Sequence, residues 1–201
     1  MIRTAYTDDA TEYDTRTATF DHYRRMIVDE LPLRAGDTVL DVGCGTGLCF
    51  DALHERVGRE GTIVGIDAAP EMLDLAAGRI ADHGWRNVAL VRARVEEVDL
   101  PVADHALFCA VHDVMQCGAA LDHVLAHLRP GASVAAGGGK WAPPWAVGVN
   151  AMVLAAHAPY VDDFTGFDRP WAALAERVPG LAVREIALGG GYVASGRVGV
   201  R

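Results

Sequence analysis

The chain has 201 residues, enough for one domain with a sizeable core, and its 51% hydrophobic and 22% charged residues exclude a disordered chain. A formal net charge of −9 and a single lysine, Lys140, argue against nucleic acid and against stable association with anionic membranes. Cys44, Cys49, Cys109 and Cys117 form no C-x-x-C pair and no disulfide framework, so they read as reduced thiols of a cytoplasmic protein.

The first ten residues are polar, with no apolar stretch of the signal-peptide kind, and no apolar run in the chain is long enough to cross a bilayer. From Thr11 to Leu31 apolar and aromatic residues recur at helical spacing (Tyr13, Phe20, Tyr23, Ile27, Leu31), which predicts an amphipathic helix with one break. Residues 1–31 therefore read as an N-terminal helical cap. Pro32 stops it, and Val39-Leu40-Asp41-Val42 is a buried strand running into Gly43-Cys44-Gly45-Thr46-Gly47. A helix follows over Leu48 to Val57, then a second strand over Thr62 to Asp67. Pro70 starts a helix carrying Met72, Leu73 and Ile80. Val88 to Arg92 and His105 to Val111 read as the third and fourth strands. A helix over Ala119 to Leu128 is closed by Arg129-Pro130-Gly131, and Ser133 to Ala136 is the fifth strand.

Residues 137–180 differ in composition. They hold Trp141, Trp145, Tyr160, Phe164, Phe167 and Trp171, broken by Pro143, Pro144, Pro159 and Pro170, with helices expected near 145–158 and 171–178. Two strand-like runs, 181–188 and 192–200, flank Gly189-Gly190-Gly191, a link short enough only for an antiparallel hairpin. The whole predicts one α/β domain over 1–201: a doubly wound, mostly parallel, seven-stranded Rossmann-like sheet with a C-terminal antiparallel hairpin.

Ligands of such sheets bind at the carboxyl ends of the strands. Here that edge carries the glycine turn and Asp67, whose two oxygens suit a pair of ribose hydroxyls. The dinucleotide pattern would need glycine where Leu48 stands, and the phosphate-loop ending Gly-Lys-Ser/Thr is absent. Asp41 would sit badly beside a pyrophosphate and well beside an ammonium group. These residues favour a cofactor with a ribose and an amino-acid end.

Val39 to Gly47 resembles the first motif of the class I S-adenosylmethionine-dependent methyltransferases. Ile63 to Asp67 with Pro70-Glu71-Met72-Leu73, and then Leu128-Arg129-Pro130-Gly131, are similar to the stretches that follow it in that family. The resemblance spans about residues 11–136 and implies S-adenosylmethionine as cofactor. It implies that Asp41, Gly43, Cys44, Gly45, Thr46 and Gly47 surround the methionine part, that Asp67 binds the ribose, and that Ala68 and Met72 pack on the adenine. Val95 and Glu96 fall where that family contacts the adenine edge, although Arg94 stands where relatives often carry an acid.

On the acceptor side, His112 lies just past the fourth strand and could act as a base oriented by Asp113; the same histidine also suits a buried, backbone-bonded role. Tyr13 and Trp141 are candidates to cover the pocket, and Tyr13-Asp14 resembles a pair ahead of the first motif in small-molecule methyltransferases. His123 and His127 stand four apart on a helix with no further ligand nearby, so no metal is expected and a solvated face is the better reading. The expected activity is methyl transfer to a small organic molecule at oxygen or nitrogen. Three alternatives stay open: a lipid amine N-methyltransferase, a cofactor-binding regulatory partner, and a non-methylating enzyme such as a cyclase. The acceptor and the oligomeric state, a homodimer included, are not legible in the sequence.

Overall fold

The computed structural model describes residues 10–199; the polar first residues lie outside the described residues. Seven strands form one sheet: β1 (Thr38–Val42), β2 (Thr62–Asp67), β3 (Val88–Arg92), β4 (Ala103–Cys109), β5 (Leu128–Gly139), β6 (Ala182–Ile186) and β7 (Gly191–Arg197). Their order is β3-β2-β1-β4-β5-β7-β6. The first five pair in parallel, and β7 inserts antiparallel between β5 and β6. The expected mostly parallel sheet with a closing hairpin is the one observed.

Helices α1 (Ala10–Thr17) and α2 (Asp21–Val28) are separated by a 3-10 turn at Ala18–Phe20, the break expected in the N-terminal helix. The remaining helices are α3 (Phe50–Val57), α4 (Pro70–His83), α5 (His112–Gln116), α6 (Gly118–Ala126), α7 (Val147–His157) and α8 (Ala172–Arg177). None among the described residues is long and apolar enough to cross a membrane.

Side chains alternate between two buried layers, as a sheet covered on both faces requires. Val39, Ile63, Leu107 and Ala135 pack under α2, α3 and α4. Leu40, Val42, Val64, Ile66, Phe108 and Val134 pack with α5, α6 and α8 on the other face. Asp41 and Gly65 are register partners across β1 and β2. By alternation they face the α3 side, as does Asp67 two residues further on.

Two sequence expectations change. The fifth strand runs from Leu128 to Gly139, so Arg129-Pro130-Gly131 lies within it rather than in a turn before it. The pairing with β4 is irregular between Ala103 and His105, and Gly131 has φ +81°, so the proline sits at a bulge where the ladder does not need its missing N–H. The fourth strand ends at Cys109 because Ala110 takes φ +58°, and the next turn is the short helix α5, too brief to show periodicity.

Gly65 lets the helix and the turn close onto the sheet. A Cβ there would stand 2.7 Å from the Phe50 ring and 2.9 Å from Cys44 Sγ. Gly65→Ala is expected to lower stability by about 1–3 kcal/mol through overpacking, measured as a lower urea midpoint at unchanged slope.

Candidate functional site

β1 and β4 are neighbours while the chain passes from β3 on one side to β4 on the other, so the carboxyl edge between them is the switch point of the sheet. The glycine turn lies there. Gly43 N–H and Cys44 N–H both donate to the Ile66 carbonyl, at 2.7 and 3.0 Å, which pins the turn to the end of β2. Gly43 has φ +66°, and a Cβ on it would meet Val111 Cγ1 at 2.3 Å. Only glycine satisfies both conditions. Gly45 has φ +54° with open space where its Cβ would be.

Asp67 closes this turn. Its Oδ2 accepts from Gly45 N–H at 2.8 Å and its Oδ1 from Ala69 N–H at 2.9 Å. A carboxylate has about four lone-pair sites, so these two bonds leave capacity on both oxygens. Burial, with the charge of Asp113, raises the Asp67 carboxyl above its ordinary range, against the backbone N–H groups that lower it. Asp41 is buried at 1% exposure, and its Oδ2 has no partner among the described residues. Burial first, and the nearby charge of Asp67 second, push it up to about 7. The Cys44 thiol is pushed up by burial and by the same two acids, which makes it inert rather than nucleophilic.

The N-terminal cap reaches the turn through residues the sequence did not single out as ligands of anything. Asp14 accepts from Thr46 Oγ1 at 2.6 Å and pairs with Arg79, which also donates from Nε to the Thr46 carbonyl at 3.0 Å. Tyr13, next to Asp14, meets the Tyr160 ring edge-on at 5.2 Å. The cap and the aromatic segment thus meet over the same edge. Asp14, Arg79 and Tyr160 are distant in sequence, and only the Tyr13-Asp14 pair left a sequence signal.

Of the other cofactor-side candidates, Met72 is buried yet belongs to neither core cluster among the described residues. Ala68 is half-buried beside Asp67. Val95 turns its side chain into the core, leaving only its backbone to offer, and Glu96 is held by Arg94 at 2.6 Å. Arg94, the departure from the family pattern, is thus the partner of Glu96.

His112 opens α5, directly after Val111. Its Nε2 lies 3.2 Å from the Thr165 carbonyl, so Nε2 carries the hydrogen and donates. Its Nδ1 is buried with no partner among the described residues. Burial lowers its pKa, outweighing the Thr165 and Asp163 carbonyls and the charge of Asp113, so the ring is neutral at pH 7. Asp113 is exposed. The Thr165 carbonyl, rather than Asp113, is the recorded hydrogen-bond partner that orients the ring. Trp141 stacks on Phe164 at 5.1 Å and meets Phe167 at 5.4 Å. Lys140 is a buried clamp, its Nζ bonded to the carbonyls of Trp141 and Gly189 and 3.0 Å from Glu185.

His123 and His127 are not a solvated face. His123 Nε2 donates to the Val98 carbonyl at 2.7 Å and His127 Nδ1 to the His123 carbonyl at 2.8 Å, because both rings lie against the chain before β4. No group of three or more metal-ligating side chains occurs among the described residues.

Residues 39–131 match a family described as a methyltransferase domain. Aklanonic acid methyltransferase DauC from a Streptomyces species is 34% identical over 91 residues, 45% of this chain and 41% of that protein. The ubiquinone/menaquinone biosynthesis C-methyltransferase UbiE of Hahella chejuensis is 31% identical over 115 residues, 54% of this chain and 45% of that protein. The matches thus span less than half the length of these two curated relatives. A solved SAM-dependent methyltransferase from Aquifex aeolicus shares the fold at a TM-score of 0.60 and 22% identity, over 87% of this chain and 89% of that one.

The buried acid has a testable cost. Between about pH 4 and pH 7 the folded chain keeps a proton on Asp41 that the unfolded chain has released, so its contribution to stability falls as pH rises. Asp41→Asn is expected to raise the melting temperature above about pH 7 by at least about 3 °C and to leave it nearly unchanged below about pH 4, by calorimetry across pH.

Proposed function

We infer the activity of this chain from the family to which it belongs, the class I S-adenosylmethionine-dependent methyltransferases: it methylates a small organic molecule at oxygen or nitrogen. The residues at the switch point fit the cofactor. Asp41 holds a buried carboxylate oxygen with nothing to accept from, suited to the amino group of the methionine part. Asp67 keeps lone pairs free for the ribose, and Gly45 leaves room for close approach. Ala68, next to Asp67, and Met72, in the first turn of α4, would flank the base. When bound, the cofactor supplies a methyl group on a positively charged sulfur.

The chain's own part is to align the acceptor, exclude water and accept a proton. The observation that carries the acceptor assignment is His112. The Thr165 carbonyl fixes its hydrogen on Nε2, and the neutral ring keeps a lone pair on Nδ1. That nitrogen takes the proton of an O–H or N–H acceptor. A carbon acceptor would have no such proton to give at neutral pH unless already acidic. Tyr13, Tyr160 and Trp141 form the cover over the edge.

The test is a screen of phenols, amines and carboxylates with methyl-labelled S-adenosylmethionine and mass detection. Label is expected on oxygen or nitrogen of a small molecule. His112→Ala is expected to reduce kcat by about 100-fold or more while leaving the Kd for S-adenosylmethionine within about threefold. Label only on carbon, or full activity in His112→Ala, would contradict the reading.

A further inference from the structure

His157, the last residue of α7, lies outside every motif in the sequence, yet it shares its surroundings with His112. The Phe167 ring, at 1% exposure, meets His112 edge-on at 4.9 Å and His157 edge-on at 5.3 Å, both at 70°. Phe164 and Trp141 close on the same ring at 4.9 and 5.4 Å. Two imidazoles and three aromatic rings therefore converge beyond the carboxyl ends of β4 and β5.

The two imidazoles are oriented alike in their chemistry. His157 Nδ1 is 2.8 Å from the Val153 carbonyl one turn back, so Nδ1 carries the hydrogen and Nε2 keeps the lone pair. His112 has the reverse tautomer with the same result, one nitrogen tied to a backbone carbonyl and the other left as an acceptor. Burial lowers the pKa of both, and the His112 ring further disfavours a charge on His157. Asp113 and Asp163 act on the His112 ring.

The main chain is cut back to admit His157. A Cβ on Gly139, the last residue of β5, would stand 2.2 Å from His157 Nε2 and 2.4 Å from its Cε1. The imidazole thus occupies the space a side chain would fill at the strand end, with its lone-pair nitrogen against the sheet edge. A purely structural histidine would need only its bond to Val153.

We propose that His157 is a specificity-determining residue that, with His112, accepts hydrogen bonds from a neutral hydroxylated aromatic ring packed against Trp141, Phe164 and Phe167. The aromatic walls select a flat apolar body, and two acceptor nitrogens without a buried donor partner select hydroxyl hydrogens over bare ring edges. A site built to bond a hydroxyl discriminates against the analogue that lacks it. This inference rests on the methyltransferase reading and deepens it on the acceptor side.

The experiment titrates phenol and benzene, the same ring without the hydroxyl, into protein saturated with S-adenosylhomocysteine at about pH 7.5, where the phenol and both imidazoles are neutral. The native chain is expected to prefer the phenol by about tenfold or more. His157→Asn keeps a donor for Val153 but loses the outer nitrogen, and Gly139→Ala displaces the ring; both are expected to reduce the preference below about threefold. His157→Gln, which returns an acceptor near Nε2, is expected to restore most of it. Binding of S-adenosylhomocysteine stays unchanged in all three. On the native protein alone, the 15N resonance of His157 Nε2 is expected to move on addition of phenol and not of benzene. An unaltered phenol preference in His157→Asn and Gly139→Ala, or a still resonance in the native protein, overturns the inference. Failure of S-adenosylhomocysteine to bind overturns the methyltransferase reading instead.

Discussion

The carboxylate of Asp67 is the constraint on which the site depends. It ends β2, and through its two bonds to Gly45 N–H and Ala69 N–H it ties the glycine turn to the start of α4. Gly43 and Cys44 hang from the Ile66 carbonyl one residue earlier, so the whole turn is fastened to the tip of a neighbouring strand. Around that fastening the helices close: Phe50 over Gly65, Val111 over Gly43, and the N-terminal cap through Asp14 and Arg79.

The same arrangement carries a cost. Asp41 and Asp67 lie on one face of adjacent strands, both buried or nearly so, and the charge of Asp67 adds to the cost of a charge on Asp41. Folding alone gains nothing from an unpartnered carboxylate oxygen at Asp41. A ligand with an ammonium group and a pair of hydroxyls would satisfy both acids. The left-handed conformation of Ala110 at the end of β4 is a second local cost, and it too lies on this edge, bonded at 2.8 Å to the Gly137 carbonyl and leading into Val111 and His112. Costs gathered at one edge of an otherwise well-packed sheet are what a binding site requires.

The glycine turn and the acids at the switch-point edge were legible in the sequence because their determinants are local. A buried strand, glycines that must take positive φ, and an acid at the end of the next strand occupy fixed offsets along the chain. The hairpin was equally legible, since three glycines can join only antiparallel neighbours. The surroundings of His112 were not. Arg79 meets Asp14 across 65 residues, and His112 finds its hydrogen-bond partner in Thr165, 53 residues on. Composition marked residues 137–180 as aromatic, but not that Phe167 would be the ring on which two histidines converge, nor that Gly139 makes space for one of them. The bulged start of β5 and the short α5 were missed for a related reason: a proline and a positive-φ alanine are tolerated there by pairing that only the assembled sheet supplies.

The central claim is that the switch-point edge holds an adenosyl group with an amino-acid end rather than a dinucleotide. Isothermal titration of S-adenosylhomocysteine and of NAD into the native chain and Asp67→Ala tests it most directly. The account predicts binding of S-adenosylhomocysteine to the native chain, weakened by about tenfold or more in Asp67→Ala, and no competition from NAD. Binding of NAD in its place, or equal affinity for S-adenosylhomocysteine with and without the Asp67 carboxylate, would contradict it.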